Sequence, residues 1–295
     1  MRLLSLTKAV IIGALLVLMA GCSAVRLGYS NGPTLAWWWL DGYVDFSREQ
    51  SSRAKQAIDR WFEWHRSTQL TGYANLLATA QTEVLEPTTA AKACRWQRLG
   101  RDALEPALER ALQEAADLVP GLGEAQWQHL EVRFAKSNAE LRKDFLQPDA
   151  DERTKASVKR VLERAEMLYG DFDTAQRKAV AAGVVASPFD PQAWVTERER
   201  RQRETVQTLR RLGAQRADRD TILAALRVLA DRAERSPDPT YRAYQLRLAD
   251  YNCAFAAQVH NATTPAQRQA ARERLKGWED DLRSLAAGLP QPPPT

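Results

Sequence analysis

Ten stretches of this chain place apolar residues every three or four positions, each fenced by proline, glycine or a capping residue, and none alternates with period two. Ser47-Arg48-Glu49-Gln50 has the form of a capping box. The helix it opens carries Ala54, Ile58, Trp61, Phe62 and His65 on one stripe, and a second is expected from about 70 to 85, closed by Pro87. Residues 89–118 read helical through Leu99, Leu104, Leu108, Leu112 and Leu118, with Pro106 expected to kink or split them. Trp127, Leu130, Phe134, Leu141 and Phe145 mark a helix over 124–145. Further helices are expected at about 151–169, 173–186, 191–212, 218–235, 239–260 and 264–287. Ala, Leu, Arg, Gln and Glu dominate, all strong helix formers. The expected fold is all-α: an extended bundle of about nine or ten antiparallel amphipathic helices with short loops, spanning 47–288. Residues 289–295 read as a Pro-rich tail with nothing to bury.

Ahead of the helices, Arg2 and Lys8 precede an apolar run from Ala9 to Ala20, too short to cross a bilayer as a helix. That order, ending on small residues, is the order of a secretory signal. Met19-Ala20-Gly21-Cys22 resembles the bacterial lipobox, with Met where Leu is usual. The resemblance implies a leader over 1–21, cut before Cys22, and acyl chains on Cys22 that form a stable membrane anchor. Ser23 follows in place of the Asp that resembles an inner-membrane retention signal, so the expected address is the periplasmic face of the outer membrane.

The 21-residue leader leaves 274 of 295 residues, enough for a real core. Without Arg2 and Lys8 the formal net charge falls from +5 to +3, and no block of like charge stands out, so a nucleic-acid partner is not expected. With Cys22 acylated, Cys94 and Cys253 remain. An even pair in an oxidising compartment invites a disulfide. Two buried reduced thiols are the alternative, and spacing alone does not decide between them.

Residues 22–46 form the lipidated start, a tether without sustained periodicity to about residue 36, and then the aromatic run Trp37-Trp38-Trp39. These tryptophans suit either a membrane interface or helix packing; adjacent side chains diverge, and packing into the core is the expectation. Asp41 and Asp45 read as caps for the helix beginning near Ser47. Glu197 with Arg201 and Glu199 with Arg203 stand four apart in the favourable order, so the Arg-rich helix is expected to present a solvated face.

Chemistry-bearing motifs are few. His65, His129 and His260 fall on three separate helices, no Cys or His cluster has zinc spacing, and no phosphate-cradling loop or nucleophile elbow occurs. No catalytic set, metal or cofactor is therefore expected. Gln50, Gln126, Gln176 and Gln267 recur at helix starts. The starts at Leu122-Gly123-Glu124-Ala125-Gln126, Phe172-Asp173-Thr174-Ala175-Gln176 and Thr263-Thr264-Pro265-Ala266-Gln267 resemble the Leu-Thr-x-x-Gln starts of Spy-type periplasmic chaperones. More of the chain is similar to a family of proteobacterial lipoproteins known only as a domain of unknown function. That likeness is carried by the lipobox, Leu40-Asp41-Gly42-Tyr43-Val44-Asp45-Phe46 with Gln50, Phe134-Ala135-Lys136-Ser137-Asn138-Ala139-Glu140-Leu141-Arg142-Lys143, the helix starts at Gln126 and Gln176, and the Arg-rich helix. The expected protein is a non-enzymatic lipoprotein that touches membrane lipid through Cys22 and binds or scaffolds an envelope protein. A Spy-like chaperone and a carboxylate-based envelope hydrolase are the alternatives.

Overall fold

The computed structural model describes residues 24–288, and they are all-α, with no strand among them. The expected leader over 1–21, Cys22 and the Pro-rich tail lie outside the described residues. In chain order the helices are α1 Ala24–Ser30, α2 Gly32–Val44, α3 Arg48–Thr68, α4 Leu70–Glu83, α5 Ala90–Leu118 and, after a 3-10 turn at Val119–Gly121, α6 Glu124–Phe145. There follow α7 Ala150–Tyr169, α8 Thr174–Val185, α9 Pro191–Ala214, α10 Arg219–Glu234, α11 Pro239–Asn261 and α12 Pro265–Ala286.

Most starts are set by local chemistry. Side chains of Ser47, Thr89, Asp149, Asp173, Asp190, Asp218, Asp238 and Thr264 accept hydrogen bonds from the first-turn amides. Pro191, Pro239 and Pro265 open their helices, where the missing N–H would have lacked a partner in any case.

Three helix pairs are matched in opposite order. Arg60 and Trp61 of α3 reach Glu114 and Ala107 of α5. Asn75 and Gln81 of α4 meet Arg283 and Glu279 of α12. Along α6 and α9, Glu124 pairs with Arg210 while Asn138 bonds Gln202 and Arg198. Two buried clusters result. One gathers Ala116, Val119, Trp127, Val206, Leu209, Leu212 and Ile222 where α5, α6, α9 and α10 converge. The other sets Val84 against Ala271 and Leu275 of α12, with Tyr169 and Trp278 beside them. Burying a side chain of this size stabilises by about 2 kcal/mol.

Several expectations need correction. Twelve helices are described rather than about ten, and the two extra are α1 and α2, in the segment read as a tether and aromatic run. Pro33 sits in the first turn of α2, where it is tolerated. Apolar residues on both sides of these helices hide the period: Tyr29, Trp37 and Leu40 face inward, half-buried, while Leu27, Leu35, Trp38 and Trp39 face out. For the same reason Trp38 and Trp39, 66% and 65% exposed, are not core residues; Trp37 stacks on Phe46 at 5.8 Å. Pro106 does not split α5, because it lies on an exposed face where water can bond the carbonyl it deprives.

The Arg-rich helix α9 is not a solvated face. Glu197 is only 4% exposed and pairs with Arg200, which also holds Glu204 at 2.8 Å. Glu204 reaches Arg232 of α10, and Glu199 pairs with Arg142 of α6 at 2.5 Å. Packed between two helices, these side chains pair along α9 at Glu197–Arg200–Glu204 and also across to Arg232 and Arg142, so the Glu197–Arg201 and Glu199–Arg203 pairs are replaced.

Candidate functional site

The four recurring glutamines meet in two pairs. At the start of α3, Gln50 Oε1 accepts from Ser47 N at 2.7 Å, and at the start of α6, Gln126 Oε1 accepts from Gly123 N at 3.0 Å. Gln126 Nε2 donates to Asp45 O at 3.3 Å and to Gln50 Oε1 at 3.4 Å, while Gln50 Nε2 donates to Gly121 O. The same pattern joins the starts of α8 and α12. Gln176 Oε1 accepts from Asp173 N at 2.9 Å, and Gln267 Oε1 accepts from Thr264 N at 2.9 Å. Gln176 Nε2 donates to Ala262 O at 2.8 Å and Gln267 Nε2 to Asp171 O at 2.8 Å. The two amides also bond each other, at 2.7 and 3.1 Å. Each glutamine thus caps its own helix and grips the carbonyl two residues before its partner's N-cap. In the second pair both amides use two donors and two acceptors, the full capacity of the group.

The histidines serve packing at separate places. His260 accepts from or donates to Tyr169 Oη through Nδ1 at 2.8 Å, and Nε2 lies 2.8 Å from Glu86 O. A proton on Nε2 satisfies both contacts, because the carbonyl only accepts. Burial holds His260 below the usual imidazole range, aided by the Arg268 charge and opposed by the Glu86 hydrogen bond. Burial also pushes the Tyr169 hydroxyl up to about 12. His65 stacks on Trp61 at 4.6 Å, meets Tyr29 Oη at 2.9 Å, and is likewise lowered by burial. His129 contacts Gly42 O at 3.3 Å. Asp41 and Asp45 finish α2 instead of starting α3: Asp41 Oδ1 accepts from Phe46 N, and Asp45 turns left-handed with φ 57°.

A depression of about 610 Å³ lies among α5, α9, α10 and α11. Arg101, Arg201, Arg235 and Arg242 face it with one carboxylate, Glu234, which Arg101 holds at 3.0 Å. Phe189, Trp194, Tyr241 and Tyr244 supply its aromatic wall. Burial raises both tyrosine hydroxyls, so they stay neutral, and Tyr244 Oη accepts from Asp190 N at 2.9 Å. A surplus of guanidinium beside flat aromatic faces suits an anionic ligand or peptide with apolar groups. Sequence reasoning missed this cleft; its only local trace is aromatic residues beside the proline breaks at Pro188, Pro191, Pro237 and Pro239.

Cys94 of α5 and Cys253 of α11 form a disulfide, with Cα atoms 5.2 Å apart. Among the described residues no His, Cys, Asp and Glu cluster has the form of a metal site, and no helix is long and apolar enough to cross a membrane. No curated protein and no solved structure matches the chain. A family model does match, over residues 42–236, which takes in Gln50, Gln126 and Gln176 but stops short of Cys253 and Gln267. The chain therefore belongs to DUF6279, a family of unknown function.

Proposed function

We propose that this chain is an envelope lipoprotein, anchored through acylated Cys22 on the periplasmic face of the outer membrane. Its helices form an extended antiparallel bundle that binds or scaffolds another envelope component without catalysis. The observation that carries this reading is the Cys94–Cys253 disulfide, because it suits an oxidising compartment and leaves Cys22 as the odd cysteine of three. The Arg-lined cleft is the natural binding surface. The hydrolase alternative is weaker. Glu83, Glu109 and Glu279 are held low by hydrogen bonds led by Arg95, Arg227 and Gln81 respectively. At Glu197 and Glu204 burial pushes upward, but hydrogen bonds and charges from Arg200 and its neighbours outweigh it. A general acid needs the opposite shift. The Spy-like alternative gains the paired glutamines but no broad exposed apolar surface beyond α1 and α2 among the described residues. The test is growth with labelled palmitate: label should enter the wild-type chain and not Cys22→Ser. Equal labelling of both would overturn the anchor.

A further inference from the structure

The outward side of α1 and α2 is apolar and bare. Leu27, Leu35, Trp38 and Trp39 are 59%, 52%, 66% and 65% exposed. On α2, positions 34, 35, 38, 39 and 42 are exposed, whereas 36, 37, 40, 41, 43 and 44 are half-buried on the side that packs against α3 and α6. Those spacings put the exposed set on one helix face. Lys55 borders the stripe: its ammonium lies 4.6 Å from the Trp37 ring and it shares a shallow hollow with Trp38 and Asp59.

What covers this face follows from the chain just before it. α1 begins at Ala24, two residues after Cys22, a reach of at most about 7 Å. Acyl chains on Cys22 would hold the start of α1 at the bilayer surface. If the two helices stood upright, Trp38 would be roughly 20 Å from Ala24, well clear of a headgroup layer of about 6 Å. Lying flat, they bring Leu27, Leu35, Trp38 and Trp39 to one depth, with two indoles where such rings partition best.

We propose that α1 and α2 lie flat in the headgroup layer of the membrane that holds the anchor, with Leu27, Leu35, Trp38 and Trp39 inserted. This contact rests on the lipid-anchor reading for its location. It fixes the orientation of the helical domain, which then cannot swing freely from its lipid, and it brings Lys55 to the lipid phosphates.

With Cys22 acylated and the other two cysteines bridged, Leu35→Cys supplies a single thiol for a nitroxide label, and Val185→Cys on α8, 70% exposed, supplies the control. The full acylated chain is placed in vesicles of phosphatidylethanolamine and phosphatidylglycerol. Collisions of the label with oxygen, which concentrates in lipid, and with a water-soluble nickel chelate are then compared. The oxygen-to-nickel ratio at position 35 should exceed that at 185 several-fold. It should collapse when Trp38→Ser and Trp39→Ser are added, with palmitate content unchanged. Equal ratios at 35 and 185 would overturn the proposal, as would protection of position 35 from both reagents, which would mean that protein covers the face. If palmitate does not enter the wild-type chain, the anchor reading fails by itself. The same ratios on the Cys22→Ser chain mixed with the vesicles then decide the contact.

Discussion

Removing one amide from the Gln176–Gln267 pair should cost more than any other single truncation of the four glutamines. Gln176 is 7% exposed and makes four hydrogen bonds, to Asp173 N, Ala262 O and both polar atoms of the Gln267 amide. Each such bond stabilises by about 1 kcal/mol net, and each buried group left without a partner costs about 1–3 kcal/mol. Gln267 is half-buried, so water recovers part of the loss. Gln176→Ala should therefore destabilise by about 3 kcal/mol. Gln50 is half-buried and bonds its partner amide at 3.4 Å, so Gln50→Ala should cost only about 1 kcal/mol. Gln176→Glu should be no better than alanine, because a carboxylate cannot donate to Ala262 O. Urea unfolding followed by far-UV circular dichroism gives the midpoints. A double-mutant cycle with Gln267→Ala should return a coupling of about 1–2 kcal/mol. An additive cycle, or equal losses for Gln50→Ala and Gln176→Ala, would refute the reasoning.

Two further outcomes follow from buried groups. Burial depresses the pKa of His65 and His260, so the folded state keeps both neutral while the unfolded chain takes up protons near 6.5. Their stabilisation is therefore complete above pH 6.5 and lost as pH falls through the lowered folded values. Unfolding midpoints should drop between pH 7.5 and 5.5, and His260→Gln should flatten that slope; an unchanged slope contradicts it. The disulfide closes a separation of 159 residues, for which the chain-entropy model gives about 5 kcal/mol as an upper figure. Cys94→Ala should lower the urea midpoint markedly and abolish the faster migration of the unreduced chain on denaturing gels; identical migration with and without reductant argues against the bridge.

Helix positions were legible because their signals are local. A capping side chain, a proline in the first turn and a stripe of period 3.6 each act within a few residues, and the bounds of α3 to α12 follow them closely. Pairing was not legible. Gln50 and Gln126, or Gln176 and Gln267, carry no mark in sequence that says which meets which, since the bond is made between loops that only packing brings together. Glu199 illustrates the same limit: a favourable partner stood four residues away at Arg203, yet burial between α6 and α9 gave it to Arg142. α1 and α2 escaped detection for a different reason. A helix with indoles outside and a tyrosine and tryptophan inside has no polar side to reveal its period.

These long-range links bear on the Arg-lined cleft. Gln97, one turn beyond Cys94 on α5, and Asn252, next to Cys253 on α11, both line it, so the disulfide sits at the junction of two of its walls. The Arg101–Glu234 pair ties α5 to the end of α10, and Arg201 on α9 donates to Ala233 O at 2.9 Å. The four helices that bound the cleft are thus joined by the disulfide, by ion pairs that include Arg101–Glu234, Arg219–Asp117, Arg227–Glu109 and Arg232–Glu204, and by the Arg201 hydrogen bond to Ala233 O. The Arg101–Glu234 pair contributes little to stability, being open to solvent, whereas the disulfide links α5 and α11 covalently. A cleft whose walls are fixed before a ligand arrives loses less ordering entropy on binding. The oxidised chain is accordingly the form in which the guanidinium groups and aromatic faces are held in place.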